Sequence, residues 1–324
     1  MTIDRNNPEP TQYHPSFFEG YRYVYPVVSR RANGVSLGVN LSPTKLCNFR
    51  CVYCQIDRQE KPAEIFRAVA AADPAAAGSL DVIQAACADS ARSAAMRAAD
   101  LDLDVLRHEI SRLAQATLSG DLFATPRFAN VAENRRVLRD FAFSGDGEPT
   151  LARQFPQVVD LLAGVRRELN YDPLKLVLIT NATRLQRPEI ADALDRFCDA
   201  NGELWVKIDA GDPARLKTIN RTAVPLETIL GNIAFAARRW RIKVQTALFS
   251  WKGQAPTDEE FMSYASRLRD VLGAGGNIQS VQLYTVARVP AEPDAEPLDN
   301  DAMDRYAEIL RRETGLDAET FYSH

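Results

Sequence analysis

The 324-residue chain carries 39 basic and 43 acidic residues and is 46% apolar, the composition of a folded globular protein rather than a disordered or fibrous one. Its net charge of -4 gives no broad attraction to nucleic acid, and no run of about 18 apolar residues marks a membrane span. The polar start, Met1 to Pro8, lacks the apolar core of a signal peptide, so the expected compartment is the cytoplasm, where reduced thiols are available to metal.

Short β-rich runs alternate with helical patterns, which predicts parallel strands joined by crossover helices. An N-terminal extension, 1–34, leads to a first strand at Val35 to Leu41, which delivers the chain into a cysteine-rich loop. The Ala-rich stretch 68–100 reads as a helical insertion, either structural padding or a lid over the fold. Leu103, Leu106, Ile110 and Leu113 predict the next helix, and Asp140 to Ser144 the second strand. Phe155, Val158, Val159, Leu162 and Val165 form one apolar helical stripe before a third strand, Lys175 to Thr180. The fourth strand is Glu203 to Asp209 and the fifth Lys243 to Phe249. Thr257 to Glu260 is a capping-box start, and the sixth strand is Ser280 to Thr285. An extended connection, Pro290 to Pro297, then enters a last helix carrying Met303, Tyr306, Ile309 and Leu310, within a C-terminal extension 289–324. Six strand-helix units with right-handed crossovers suggest an α/β fold, a partial (β/α)6 barrel over 35–288. Two basic clusters, Arg135, Arg136 and Arg139, and Arg238, Arg239, Arg241 and Lys243, read as solvated helix faces more readily than as phosphate sites.

Three of the five cysteines, Cys47, Cys51 and Cys54, lie within eight residues at C-x3-C-x2-C spacing. One loop can turn three such thiolates toward a common point, as soft ligands for iron require, and leave one coordination position open. A disulfide would use two and strand the third. A structural zinc site normally needs a fourth Cys or His, and the remaining candidates are Cys87, Cys198, His14, His108 and His324, none in a second C-x2-C or an H-x3-5-H. An electron-transfer cluster would use four cysteines in set spacings. Cys87 and Cys198 read as ordinary buried thiols.

In parallel α/β folds, reactive groups collect at the C-terminal ends of strands. The cysteine loop follows the first strand, and Gly145-Asp146-Gly147-Glu148-Pro149-Thr150 follows the second. Its glycines permit close backbone approach and Glu148 offers a carboxylate to an ammonium group, although a tight turn would also account for it. Thr180 and Asn181 close the third strand as polar ligands or as a turn. Lys207 and Asp209 end the fourth strand and, two residues apart, point the same way, either into a substrate pocket or as a buried ion pair. Gln245 on the fifth strand and Tyr284 with Arg288 at the sixth complete the set.

The cysteine spacing, with Tyr53 before the last cysteine, resembles the radical S-adenosylmethionine (SAM) superfamily, and Gly147-Glu148 resembles its GGE motif, with Asp146 in place of the first glycine. Gly38 to Pro43, Phe143 to Thr150 and Tyr284 to Arg288 look like the group that includes the wyosine-type tRNA-modifying synthases, although no cysteine precedes Cys47 to hold their second cluster. The resemblance implies a [4Fe-4S] cluster on Cys47, Cys51 and Cys54. SAM would chelate the fourth iron, with Tyr53, Gly147, Glu148 and Asn181 around it. It also implies reductive cleavage of SAM to a 5′-deoxyadenosyl radical, a low-potential electron donor of flavodoxin or ferredoxin type, and a substrate that could be an RNA base, with tRNA as partner. Lys207 and Asp209 would face that substrate. The rival reading is a non-catalytic iron-sulfur or zinc protein acting as a redox sensor or scaffold.

Overall fold

The computed structural model describes residues 18, 20–43, 45–56 and 100–323. The Ala-rich insertion, up to residue 99, lies outside these residues, as do the polar start of the chain, His14, Cys87 and His324.

All six expected strands are present, and the sheet continues beyond them at both edges. Its eight strands run in the order β1-β2-β3-β4-β5-β6-β8-β10. These are β1 (Val24–Ser29), β2 (Gly34–Val39), β3 (Leu138–Phe143), β4 (Lys175–Thr180), β5 (Gly202–Lys207), β6 (Ile242–Ala247), β8 (Ile278–Tyr284) and β10 (Ala318–Phe321). Every neighbouring pair is parallel except β1 with β2. The fifth expected strand is split, because its end forms a separate β7 (Phe249–Trp251) that pairs with β9 (Ala295–Pro297) inside the expected extended connection. The sheet curls into a partial barrel: Arg30, in the β1–β2 turn, donates to the Tyr322 carbonyl just past β10, so its two edges meet.

Seven α-helices are described: α1 (Leu103–Ser119), α2 (Phe155–Leu169), α3 (Pro188–Asp199), α4 (Pro213–Ile219), α5 (Leu226–Arg239), α6 (Asp258–Gly273) and α7 (Asn300–Thr314). Their apolar stripes are buried as the sequence spacing requires: Phe155, Val158, Val159, Leu162 and Val165 on α2, and Met303, Tyr306, Ile309 and Leu310 on α7. Each such side chain contributes about 1.5–3 kcal/mol when fully buried. The capping box at Thr257 and Glu260 is formed in both directions. Glu109 on α1 is buried and accepts from the backbone N–H groups of Arg22, Tyr23 and Val24, which ties the entry of β1 to the helix layer.

Strand alternation leaves a second, inner face lining the lumen. On β5 this face carries Glu203, Trp205 and Lys207 from bottom to top, and Trp205 packs on Ala142 and Val177. At the bottom, Glu203 pairs with Lys175 and, at 3.5 Å, with Lys243. Three more of the basic residues in the two clusters have structural partners: Arg136 donates to the carbonyls of Val131 and Ala129, Arg139 to that of Asn33, and Arg239 pairs with Asp195.

Candidate active site at the top of the barrel

Cys47, Cys51 and Cys54 line one cavity of about 260 Å3 together with Tyr53, Gly147, Glu148, Asn181, Lys207, Gln245, Tyr284 and Arg288. The topology brings these together because the loops after β2, β3 and β4 open on the same end of the sheet, and β5, β6 and β8 finish there.

The cysteine loop has no regular structure of its own and is held by its neighbours. Arg50 and Val52 donate to the carbonyls of Asn220 and Ile219, at 2.9 Å each, so the end of α4 acts as a backrest. Phe49 and Val52 are buried beneath the loop. Asn48 donates to Thr183 at 2.9 Å and accepts from Asn181 at 2.7 Å, which fastens the loop to the end of β4. The sulfurs receive N–H donors: the Asn220 side chain lies 3.3 Å from Cys51 Sγ and the Phe49 amide 3.4 Å from Cys47 Sγ. Burial, reinforced by Asp209, pushes the Cys51 thiol up to about 12; a bound metal ion would displace that proton.

Gly147 permits the meeting of two loops. A Cβ there would come within 2.0 Å of the Leu46 carbonyl and 2.5 Å of Ser42 Cβ, so only glycine lets this turn lie against the cysteine loop. Asp146, where the resembled motif has glycine, turns back into the protein and accepts from Asn40 at 3.0 Å; its side chain braces the β2 and β3 ends. Glu148 is buried and accepts four hydrogen bonds, from the Thr150 amide and hydroxyl, the Thr180 hydroxyl and the Asn181 amide, at 2.6–3.1 Å. Burial nevertheless outweighs these bonds and raises its pKa. A cation held against this carboxylate would restore its charge.

The Asn181 side chain is committed to the protein: it donates to Asn48 and accepts from the Thr183 amide and hydroxyl, at 3.2 and 2.8 Å. It lines the cavity, but its hydrogen bonds brace the cysteine loop. Tyr53 donates to Asp209 and packs at 5.0 Å on Phe249; burial and Asp209 raise its pKa well above the ordinary phenol value.

Lys207 and Asp209 lie on the same side, 3.7 Å apart. Asp209 is a buried hub, accepting also from the Asn220 side chain at 2.7 Å and the Ala247 amide at 2.9 Å. Lys207 is the member that reaches the cavity, between the Tyr53 and Tyr284 rings at 5.1 and 4.8 Å and bonded to the Tyr284 hydroxyl. Burial opposes its charge, but Asp209 and Tyr284 prevail and raise its pKa.

Asn220, Asn48 and Arg31 were not singled out in the sequence. Asn220 caps a short helix rather than ending a strand, and Asn48 is hidden inside the cysteine motif. Arg31 enters from the β1–β2 turn, a hairpin marked in the sequence by Asn33-Gly34, with Asn33 at φ 52°.

The residues fit an iron-sulfur cluster with SAM. Three thiols and a buried carboxylate face one cavity, and Gln245 Oε1, buried in its lining, has no hydrogen-bond partner among the described residues and could accept from a ligand hydroxyl or amine. Among the described residues, no three His, Cys, Asp or Glu side chains are grouped as ligands of one metal ion. Zinc makes that demand of its ligands, whereas a cluster asks each thiolate for a different iron.

No protein-family model matches the chain, and no curated protein matches it. Among solved structures it is similar to SuiB of Streptococcus suis, at 13% identity and a TM-score of 0.49 over 90% of this chain and 51% of that one. It is also similar to TYW1 with a lysine-pyruvate adduct bound, at 14% identity and 0.44 over 87% and 74%. A domain of pyruvate-formate lyase-activating enzyme from Bacteroides vulgatus aligns at 19% identity and 0.41, over 56% of this chain and 99% of that domain. At these identities and scores the likeness transfers no function to this chain, whose reading rests on its own residues.

Proposed function

We propose that the chain is a radical SAM enzyme, with Cys47, Cys51 and Cys54 holding a [4Fe-4S] cluster and Glu148 receiving the ammonium group of SAM. The observation that carries this reading is the shared cavity, where three cysteines of C-x3-C-x2-C spacing face a buried Glu148 that follows the next strand of the sheet. When bound, such a cluster supplies the electron that cleaves SAM to methionine and a 5′-deoxyadenosyl radical.

The protein's own part is binding, orientation and exclusion of water. Asn181 and Asn220 brace the cysteine loop from two sides, and Asn220 also offers an N–H to the Cys51 sulfur, a lever on cluster potential. Glu148 and Gln245 supply acceptors for the polar groups of SAM. Tyr53, backed by Phe249, and Tyr284 wall the cavity, and Lys207 presents a fixed positive charge beneath it. An external low-potential donor of flavodoxin or ferredoxin type delivers the electron.

Anaerobic reconstitution tests the assignment. About four iron and four sulfide per chain are expected, with loss of the cluster in Cys47→Ala; full iron loading of that variant would contradict it. For the substrate, modification of an RNA base is the reading that the sequence resemblance supports. Mass spectrometry of tRNA nucleosides from a deletion strain is expected to show a missing modification, and an unaltered profile would count against it.

A further inference from the structure

Below the cysteine cavity lies a second one of about 160 Å3 inside the barrel. The residues they share include Arg31, Tyr53, Tyr284 and Arg288. The charged groups lining this lower cavity are Arg30, Arg31, Arg288 and Asp140, three guanidinium groups against one carboxylate.

Arg31 is the telling residue. It leaves the β1–β2 turn and runs up the lumen, its guanidinium 5.8 Å from the Trp205 ring and 5.1 Å from the Tyr284 ring. These aromatic rings flank the group. Among the described residues its nitrogens make no hydrogen bond or ion pair. Arg30 binds the Tyr322 carbonyl across the sheet edges, so its place is structural. Arg288 enters from the far side of β8, bonded to Gln55 at 3.4 Å, and burial and repulsion from Arg31 lower its pKa to about 10. Arg31 thus places a second cation on the cavity that Arg288 lines, its own donors unspent among the described residues, and an anion seated between them would offset the repulsion. Asp140 attracts Arg31 across the cavity but makes no ion pair with it among the described residues. Its carboxylate is bonded to Ser36, and burial raises it to about 7.

We propose that the lumen recognises the substrate by a compact anionic group, a carboxylate or a phosphate, seated on Arg31 with Arg288 on the side of the cysteines. A planar guanidinium takes either anion through two parallel hydrogen bonds. With the charge anchored low in the barrel, the rest of the substrate extends toward the cysteine cavity, where its reacting carbon would lie. That the anion belongs to the substrate rests on the radical SAM reading; that the lumen binds an anion does not.

The test titrates the anaerobically reconstituted protein with inorganic phosphate and, separately, with acetate, following heat of binding and the fluorescence of Trp205 against the other tryptophans. Saturation by at least one probe below about 10 mM is expected, and the probe that saturates names the anion. Arg31→Gln is expected to weaken it at least about tenfold, with Arg31→Lys in between because a lysine keeps the charge and loses the fork. Thermal melting and cluster absorbance establish that both variants are folded. Absence of saturation with either probe, or equal affinity in a folded Arg31→Gln, would overturn the anion site. If the anion binds to a protein that does not cleave SAM, the radical SAM reading fails and the anion site stands.

Discussion

Single atoms decide much of this site. A methyl group at position 147 would overlap the Leu46 carbonyl, so Gly147→Ala must push the cysteine loop off its seat. A loss of roughly 1–3 kcal/mol is expected in urea unfolding, together with poorer cluster loading. Glu148→Gln keeps the shape and removes the charge, and it sets an amide NH2 against the Asn181 N–H, so thermal melting is measured alongside. SAM affinity in the reconstituted protein is expected to fall at least about tenfold, and an unchanged Kd would count against an ammonium at that carboxylate. Asp140 gives a prediction in pH. Its folded pKa of about 7 lies above the unfolded value near 3.9, so the folded state binds the proton more tightly. The resulting stabilisation is complete below about pH 4 and is lost as pH rises through 7. Asp140→Asn, neutral throughout, should match the parent near pH 4 and exceed it at pH 8 by roughly 2–4 kcal/mol, measured by urea unfolding at the two pH values.

At the scale of elements, the cysteine loop borrows its shape from two neighbours, the end of β4 through Asn181 and the end of α4 through Asn220. Removing the second should change the cluster more than the fold. Asn220→Ala deletes the N–H directed at Cys51 Sγ, and fewer hydrogen bonds to sulfur are expected to make the cluster potential more negative; a redox titration followed by electron paramagnetic resonance measures it. Elements with a strong local signal were legible in the sequence. β4 was read with its observed bounds because its apolar run is covered on both faces, and the α6 capping box was visible in four residues. β1 was missed because Pro26 sits within it, which an edge strand tolerates and a pattern reading penalises. β10 has four residues and one apolar position on each face, too little periodicity to detect.

For the whole molecule, the curled sheet converts a chain with its chemistry scattered over 47–288 into one site, and places a positively charged lumen beneath it. That the cysteines, Glu148 and Lys207 come to one cavity could be read from sequence because spacing and strand ends carry them. The division of labour could not, since it depends on contacts: Asn181, expected as a ligand of SAM, spends its side chain on the cysteine loop, and Asp209, expected at the substrate, holds Tyr53 and Asn220. Arg31 lay in a stretch read as an extension, yet it reaches the lumen because the two sheet edges meet around it. The decisive measurement is 5′-deoxyadenosine formed from SAM by the reconstituted protein under dithionite, compared with Cys47→Ala. Product well above the variant is expected, and equal amounts from the two proteins would contradict it.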